Sequence, residues 1–94
     1  MKNKIIEKIE KRKEDIKKFS VKKIGLFGSF LKGEGKRTSD IDFLVEFNEV
    51  SADNFFGLMF FLEELLKRKI DLIELKTLRK ELNHIKKEVE YVKL

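Results

Sequence analysis

Over residues 3–19 the chain reads NKIIEKIEKRKEDIKKF, with Ile5, Ile9, Ile16 and Phe19 at helical spacing and Ile6 widening the stripe. Glu7/Lys11 and Glu14/Lys18 are i,i+4 pairs, so the pattern predicts one amphipathic helix over 3–19. VKKIGLF, 21–27, is a short strand that ends at Gly28. A polar connection follows, SFLKGEGKRTS, in which Ser29 is placed to cap a brief helix and Gly33 and Gly35 supply turn freedom. DIDFLVEF, 40–47, alternates: Ile41, Phe43, Val45 and Phe47 share one face, and Asp40, Asp42, Leu44 and Glu46 share the other.

Ser51 is a plausible N-cap for ADNFFGLMFFLEELLKRK, whose Phe55, Phe56, Met59, Phe60, Leu62, Leu65 and Leu66 make a stripe broad enough to pack a helix on a sheet. IDLIEL, 70–75, is a third strand. TLRKELNHIKKEVEYVKL then reads as helical, with Leu78, Leu82, Ile85 and Val89 on one side. The order helix, strand, turn, strand, helix, strand, helix predicts an α/β fold with helices covering a mixed sheet of three to four strands.

Ninety-four residues suit one domain, 1–94, with a single modest core and no separate substrate domain. A second substrate is therefore gripped by a small surface or supplied by a partner. With no cysteine, disulfides and thiolate metal sites are excluded. The lack of a long apolar run points to a soluble, cytoplasmic protein with no membrane partner. The net charge of +5 favours anionic partners, but 41% charged residues means that most of these side chains are simply solvated, a composition that also suits surface ion-pair networks at high temperature.

Aspartate is depleted in strands, so Asp40 and Asp42 on one face of an apolar strand need a reason. One reason is plain: Asp40 caps the strand and Asp42 lies at an exposed edge. The other is metal binding, since residues two apart in a strand lie roughly 6–7 Å from each other and their carboxylates can converge on a hard cation. Asp71 interrupts the third strand in the same way. If that strand lies beside 40–47, three carboxylates meet at one end of the sheet, and a divalent ion relieves their repulsion. Gly28 lets backbone approach a phosphate, Ser29 offers a hydroxyl and an amide, and Lys32, Lys36 and Arg37 add positive charge.

Gly28-Ser29, ten residues, then Asp40-Ile41-Asp42 resembles the GSx10DxD signature of the polymerase-β-like nucleotidyltransferases. With LFGS before it and KIDLIEL after it, the chain most resembles the minimal nucleotidyltransferases of HEPN/MNT toxin–antitoxin pairs. That resemblance implies a small nucleotidyltransferase fold. It also implies that Gly28, Ser29 and Lys32 bind nucleotide phosphates and that Asp40, Asp42 and Asp71 bind Mg²⁺, two ions in the related enzymes, as the catalytic carboxylates, with Asp71 helping to activate the attacking hydroxyl. The implied activity is transfer of AMP from ATP to a tyrosine of a cognate HEPN toxin. In the loop, Phe30-Leu31-Lys32-Gly33 stands where the family has an aromatic or arginine and then Ala-Arg-Gly, and Lys32 keeps the charge without the guanidinium fork.

Two other readings compete. A catalytically weak relative would neutralise a partner by binding alone, an account that the intact aspartates oppose. A basic RNA-binding domain would need a nucleic-acid motif that the chain lacks, so direct nucleic-acid binding is not expected. The lone His84 reads as a solvated helical residue, Tyr91 as end-of-helix packing, and Glu46 as too far along its strand to join the site.

Overall fold

The computed structural model describes residues 3–36, 38–77 and 88–94. Asn3 caps α1 (Lys4–Glu10), its side-chain oxygen accepting from the Ile5 N–H at 2.8 Å. The expected single helix is broken at Lys11 and Arg12, and α2 (Lys13–Lys17) follows. The reason is visible in the stripe: between Ile9 and Ile16 no apolar residue anchors the intervening turn to the core. Arg12 holds the bend instead, bonding Asp15 at 2.8 Å and lying 5.2 Å from the Phe61 ring centroid.

β1 (Val21–Phe27) and β2 (Ile41–Phe47) pair antiparallel, and β2 pairs in parallel with β3 (Ile70–Glu74). The parallel pairing needs a crossover, which α3 (Ala52–Leu66) provides. Ser51 caps α3 as its position predicts, its hydroxyl accepting from the Asn54 N–H at 3.1 Å.

The chain end departs from expectation. Leu75–Thr77 forms a 3-10 turn, and Glu90–Tyr91 forms a fourth strand, β4, antiparallel to β1. The sheet order is β3-β2-β1-β4. Tyr91 thus belongs to a sheet edge rather than a helix end, and the Lys23 ammonium sits 4.9 Å from its ring centroid. β1 accepts this neighbour because Gly25 has no side chain: a β-carbon there would run into Val89 Cγ1 and approach Tyr91 Cδ1 at 2.9 Å. The expected helical positions Leu78, Leu82, Ile85 and His84, and the basic Arg37, lie outside the described residues.

Ile24 and Leu26 of β1, Ile41, Phe43, Val45 and Phe47 of β2, and Ile70 and Leu72 of β3 bury one face of the sheet against Ile6, Ile9, Ile16, Leu58 and Leu62. This is the alternation read from 40–47, and it leaves Asp42 and Glu46 on the opposite face. Among the described residues no helix is long and apolar enough to cross a membrane.

Candidate active site

The parallel register sets Asp42 directly opposite Asp71, while the antiparallel one sets Phe27 opposite Asp42. Position 28, immediately after β1, therefore comes up against the Asp42 carboxylate. Gly28 takes φ +78°, in the left-handed region, and a β-carbon there would overlap Asp42 Oδ2. Glycine at this point gives the chain both a sharp exit from the strand and a cradle open to the carboxylate.

The three aspartates differ in setting. Asp42 is half-buried, whereas Asp40 and Asp71 are exposed. Burial first, then the negative charges of Asp71 and Asp40, and a proton shared with Asp71, push the Asp42 carboxyl above the usual carboxylate range. A divalent cation is the natural counter-charge for such a pair. Among the described residues no three carboxylate or histidine side chains are drawn into a ready-made metal cage. The structure thus brings Asp42 and Asp71 side by side, with Asp40 near enough for its charge to act on Asp42.

The segment after Gly28 is a turn rather than the expected short helix. The Gly28 carbonyl accepts from the N–H groups of Leu31 at 3.2 Å and Lys32 at 3.3 Å, and the Ser29 carbonyl accepts from Glu34 at 2.8 Å. The Lys32 ammonium lies 3.9 Å from the Glu88 carboxylate, an exposed pair that an anionic ligand can compete for at little cost. Glu46 lies 3.9 Å from the Lys22 ammonium and 4.0 Å from that of Lys23.

Two residues that the sequence reading passed over shape this region. The Arg68 guanidinium carbon sits 4.9 Å from the Phe30 ring centroid, and Arg68 Nη1 donates to the Lys36 carbonyl at 3.1 Å. The carbonyl of Phe30 accepts from Asn3 Nδ2 at 3.1 Å. The turn that begins at Gly28-Ser29 is thereby tied both to the start of α1 and to the segment leading into β3. The signal in the sequence was the run Lys67-Arg68-Lys69 just ahead of Asp71, although a charge run by itself reads as a solvated face.

A small mixed sheet with helices on one face, and with opposed aspartates beside a Gly-Ser turn on the other, is the architecture of a nucleotidyltransferase. Residues 4–94 match the family described as "Nucleotidyltransferase domain", and the chain belongs to that family. The resemblance read from the Gly-Ser and Asp-Ile-Asp spacing is borne out. The chain is 40% identical over 83 residues to the protein adenylyltransferase MntA of Thermococcus cleftensis, covering 86% of this chain and 84% of the relative. Its fold matches a chain in a toxin–antitoxin crystal structure with AMP-PNP at TM-score 0.71 and 22% identity, covering 89% of this chain and 72% of that one. It also matches a chain in the structure of a tri-AMPylated Shewanella oneidensis HEPN toxin with its MNT antitoxin, at TM-score 0.66 and 18% identity, covering 94% of this chain and 71% of that one.

Proposed function

We propose that this protein is a Mg²⁺-dependent protein adenylyltransferase that moves AMP from ATP to a tyrosine of a cognate HEPN toxin and so acts as its antitoxin in the cytoplasm. The observation that carries the reading is the opposition of Asp42 and Asp71 beside the Gly28 cradle, in a chain 40% identical to a protein adenylyltransferase. The toxin–antitoxin structures that share its fold favour a protein acceptor, and one of them contains an ATP analogue.

In this reading Gly28, Ser29 and Lys32 receive the nucleotide phosphates. Asp40, Asp42 and Asp71 hold the metal, which supplies charge neutralisation for the entering and leaving oxygens. The tyrosine oxygen forms a bond to the α-phosphorus, the bond from that phosphorus to the oxygen bridging to the β-phosphate breaks, and pyrophosphate leaves. Asp71, on the exposed side of the pair, takes the hydroxyl proton.

The experiment is incubation with the product of the adjacent gene, labelled ATP and Mg²⁺, followed by mass spectrometry of the partner. AMP on a tyrosine, lost with Asp42→Asn, is the expected result. Tight binding of the partner without transfer would instead establish neutralisation by contact alone. Transfer that survives Asp40→Asn combined with Asp42→Asn would refute the residue assignment.

A further inference from the structure

The segments leading into β2 and β3 run side by side, the Ile41 N–H donating to the Lys69 carbonyl at 3.0 Å. Between them is an open groove of about 440 Å³, with Thr38, Ser39 and Asp40 on one wall and Lys67, Arg68 and Lys69 on the other. Three cations and two hydroxyls thus face a single carboxylate, Asp40.

The cationic wall is maintained against a backbone cost. Lys67 ends α3 with φ +56°, a left-handed position where glycine is the unstrained choice and a β-carbon costs roughly 1–2 kcal/mol. Its side chain is 79% exposed, and its ion pair among the described residues is with the equally exposed Glu64 at 4.0 Å, a weak contact that a ligand carboxylate can replace. Lys69 is exposed as well, and it lies two residues before Asp71, which alternation places on the same face of the sheet. Arg68 plays a different part. Its stacking on Phe30 and its bond to Lys36 fix the groove relative to the Gly-Ser turn.

Sheet order supplies the direction. Gly28 and Ser29 follow β1, on one side of Asp42, and the groove adjoins β3, on the other side with Asp71. A nucleotide held at the Gly-Ser turn leaves the β3 side to the incoming hydroxyl. We infer that the groove between residues 38–40 and 67–69 is the acceptor subsite and takes an acidic peptide segment flanking the modified hydroxyl. This rests on the protein acceptor proposed above, and it adds the chemistry by which that acceptor is selected. Lys67 and Lys69 pair with carboxylates of the segment, Thr38 and Ser39 donate hydroxyl hydrogen bonds to it, and Asp40 marks the end of the groove where the metal site begins.

The test uses two fluorescent tyrosine peptides, one flanked by glutamates and one by lysines, against the wild-type chain and the Lys67→Glu/Lys69→Glu double variant. Wild type should bind the acidic peptide about tenfold tighter, and the double variant should reverse that preference. In transfer assays the change should fall on the KM for peptide, with the KM for ATP moving less than about twofold. Lys67→Gly is the folding control: it relieves the left-handed strain, so it should melt no lower than wild type while losing part of the acidic preference. Equal affinity for the two peptides would overturn the inference. So would a double variant whose defect falls on the KM for ATP, which would assign the groove to nucleotide phosphates. If the acidic peptide binds, the double variant reverses the preference and yet no peptide is modified, the groove stands and the transfer reading falls.

Discussion

Asp42 and Asp71 occupy matching positions on two parallel neighbouring strands, β2 and β3, with Asp42 the more buried of the two. Burial and its acidic neighbours hold Asp42 protonated to higher pH than an isolated aspartate. Between the ordinary aspartate range and that raised value, the folded chain binds more protons than the unfolded one. Stability therefore falls as pH rises through this window and is regained below it. Asp42→Asn should remove this slope and raise the melting temperature near neutral pH in metal-free buffer. Thermal melts of both chains between pH 3.5 and 7.5 check it, and parallel curves would count against the coupling.

The same substitution should lower AMP transfer by about 10²–10³-fold, the scale seen when one preorganised charge-stabilising group is lost. Mg²⁺ should raise the melting temperature of the wild-type chain, because an ion that binds only the folded form shifts the equilibrium towards it. That increment should shrink in Asp42→Asn. Melts with and without Mg²⁺, with Ca²⁺ and chelator as comparisons, read it directly.

Gly28→Ala puts a β-carbon in a left-handed position and into the Asp42 carboxylate. The backbone term alone costs roughly 1–2 kcal/mol, and the overlap forces Asp42 to move. The expected outcome is a lower melting temperature together with loss of both the Mg²⁺ increment and transfer. Denaturant melts and the transfer assay separate the two effects.

Arg68→Ala removes the stacking on Phe30 and the bond to the Lys36 carbonyl. Phe30 packs against the edge of the core, so a modest loss of stability should accompany the change. The turn after Gly28 loses its tie, and the KM for ATP should rise about tenfold with a smaller change in kcat, tenfold corresponding to about 1.4 kcal/mol. Arg68→Lys, which keeps the cation but not the planar fork, should recover only part of the loss.

Gly25→Ala tests the fourth strand. The added methyl meets Val89 and Tyr91, and overpacking of this kind costs about 1–3 kcal/mol. Amide exchange should accelerate at Val92, whose N–H donates to the Ile24 carbonyl at 2.8 Å, well before it does so within β2.

Local chemistry made much of this protein legible from its sequence. The period-two alternation of 40–47 marks a strand with one buried face, and Ser51 marks the start of the long helix, because both signals depend on neighbours in the chain. The Gly-Ser and Asp-Ile-Asp spacing identified the family for the same reason. Where the cue depended on distant partners, the reading failed. The apolar stripe over 3–19 passed for one helix, although the gap between Ile9 and Ile16 leaves a turn that Arg12 bends towards Phe61. The residues around Tyr91 passed for helix, although the notch at Gly25 recruits them to the sheet.

By itself, then, the sequence determined the family and singled out the candidate residues Gly28, Ser29, Asp40, Asp42 and Asp71, the aspartates because carboxylates are uncommon in apolar strands. Only the tertiary structure decided how they meet. Parallel pairing of β2 with β3 sets Asp42 against Asp71, the β1 register brings Gly28 onto Asp42, and the segments ahead of the two parallel strands enclose a cationic groove. Strand register and order are properties of chain crossings tens of residues apart, and the burial of a shared core selects them, which no local pattern encodes.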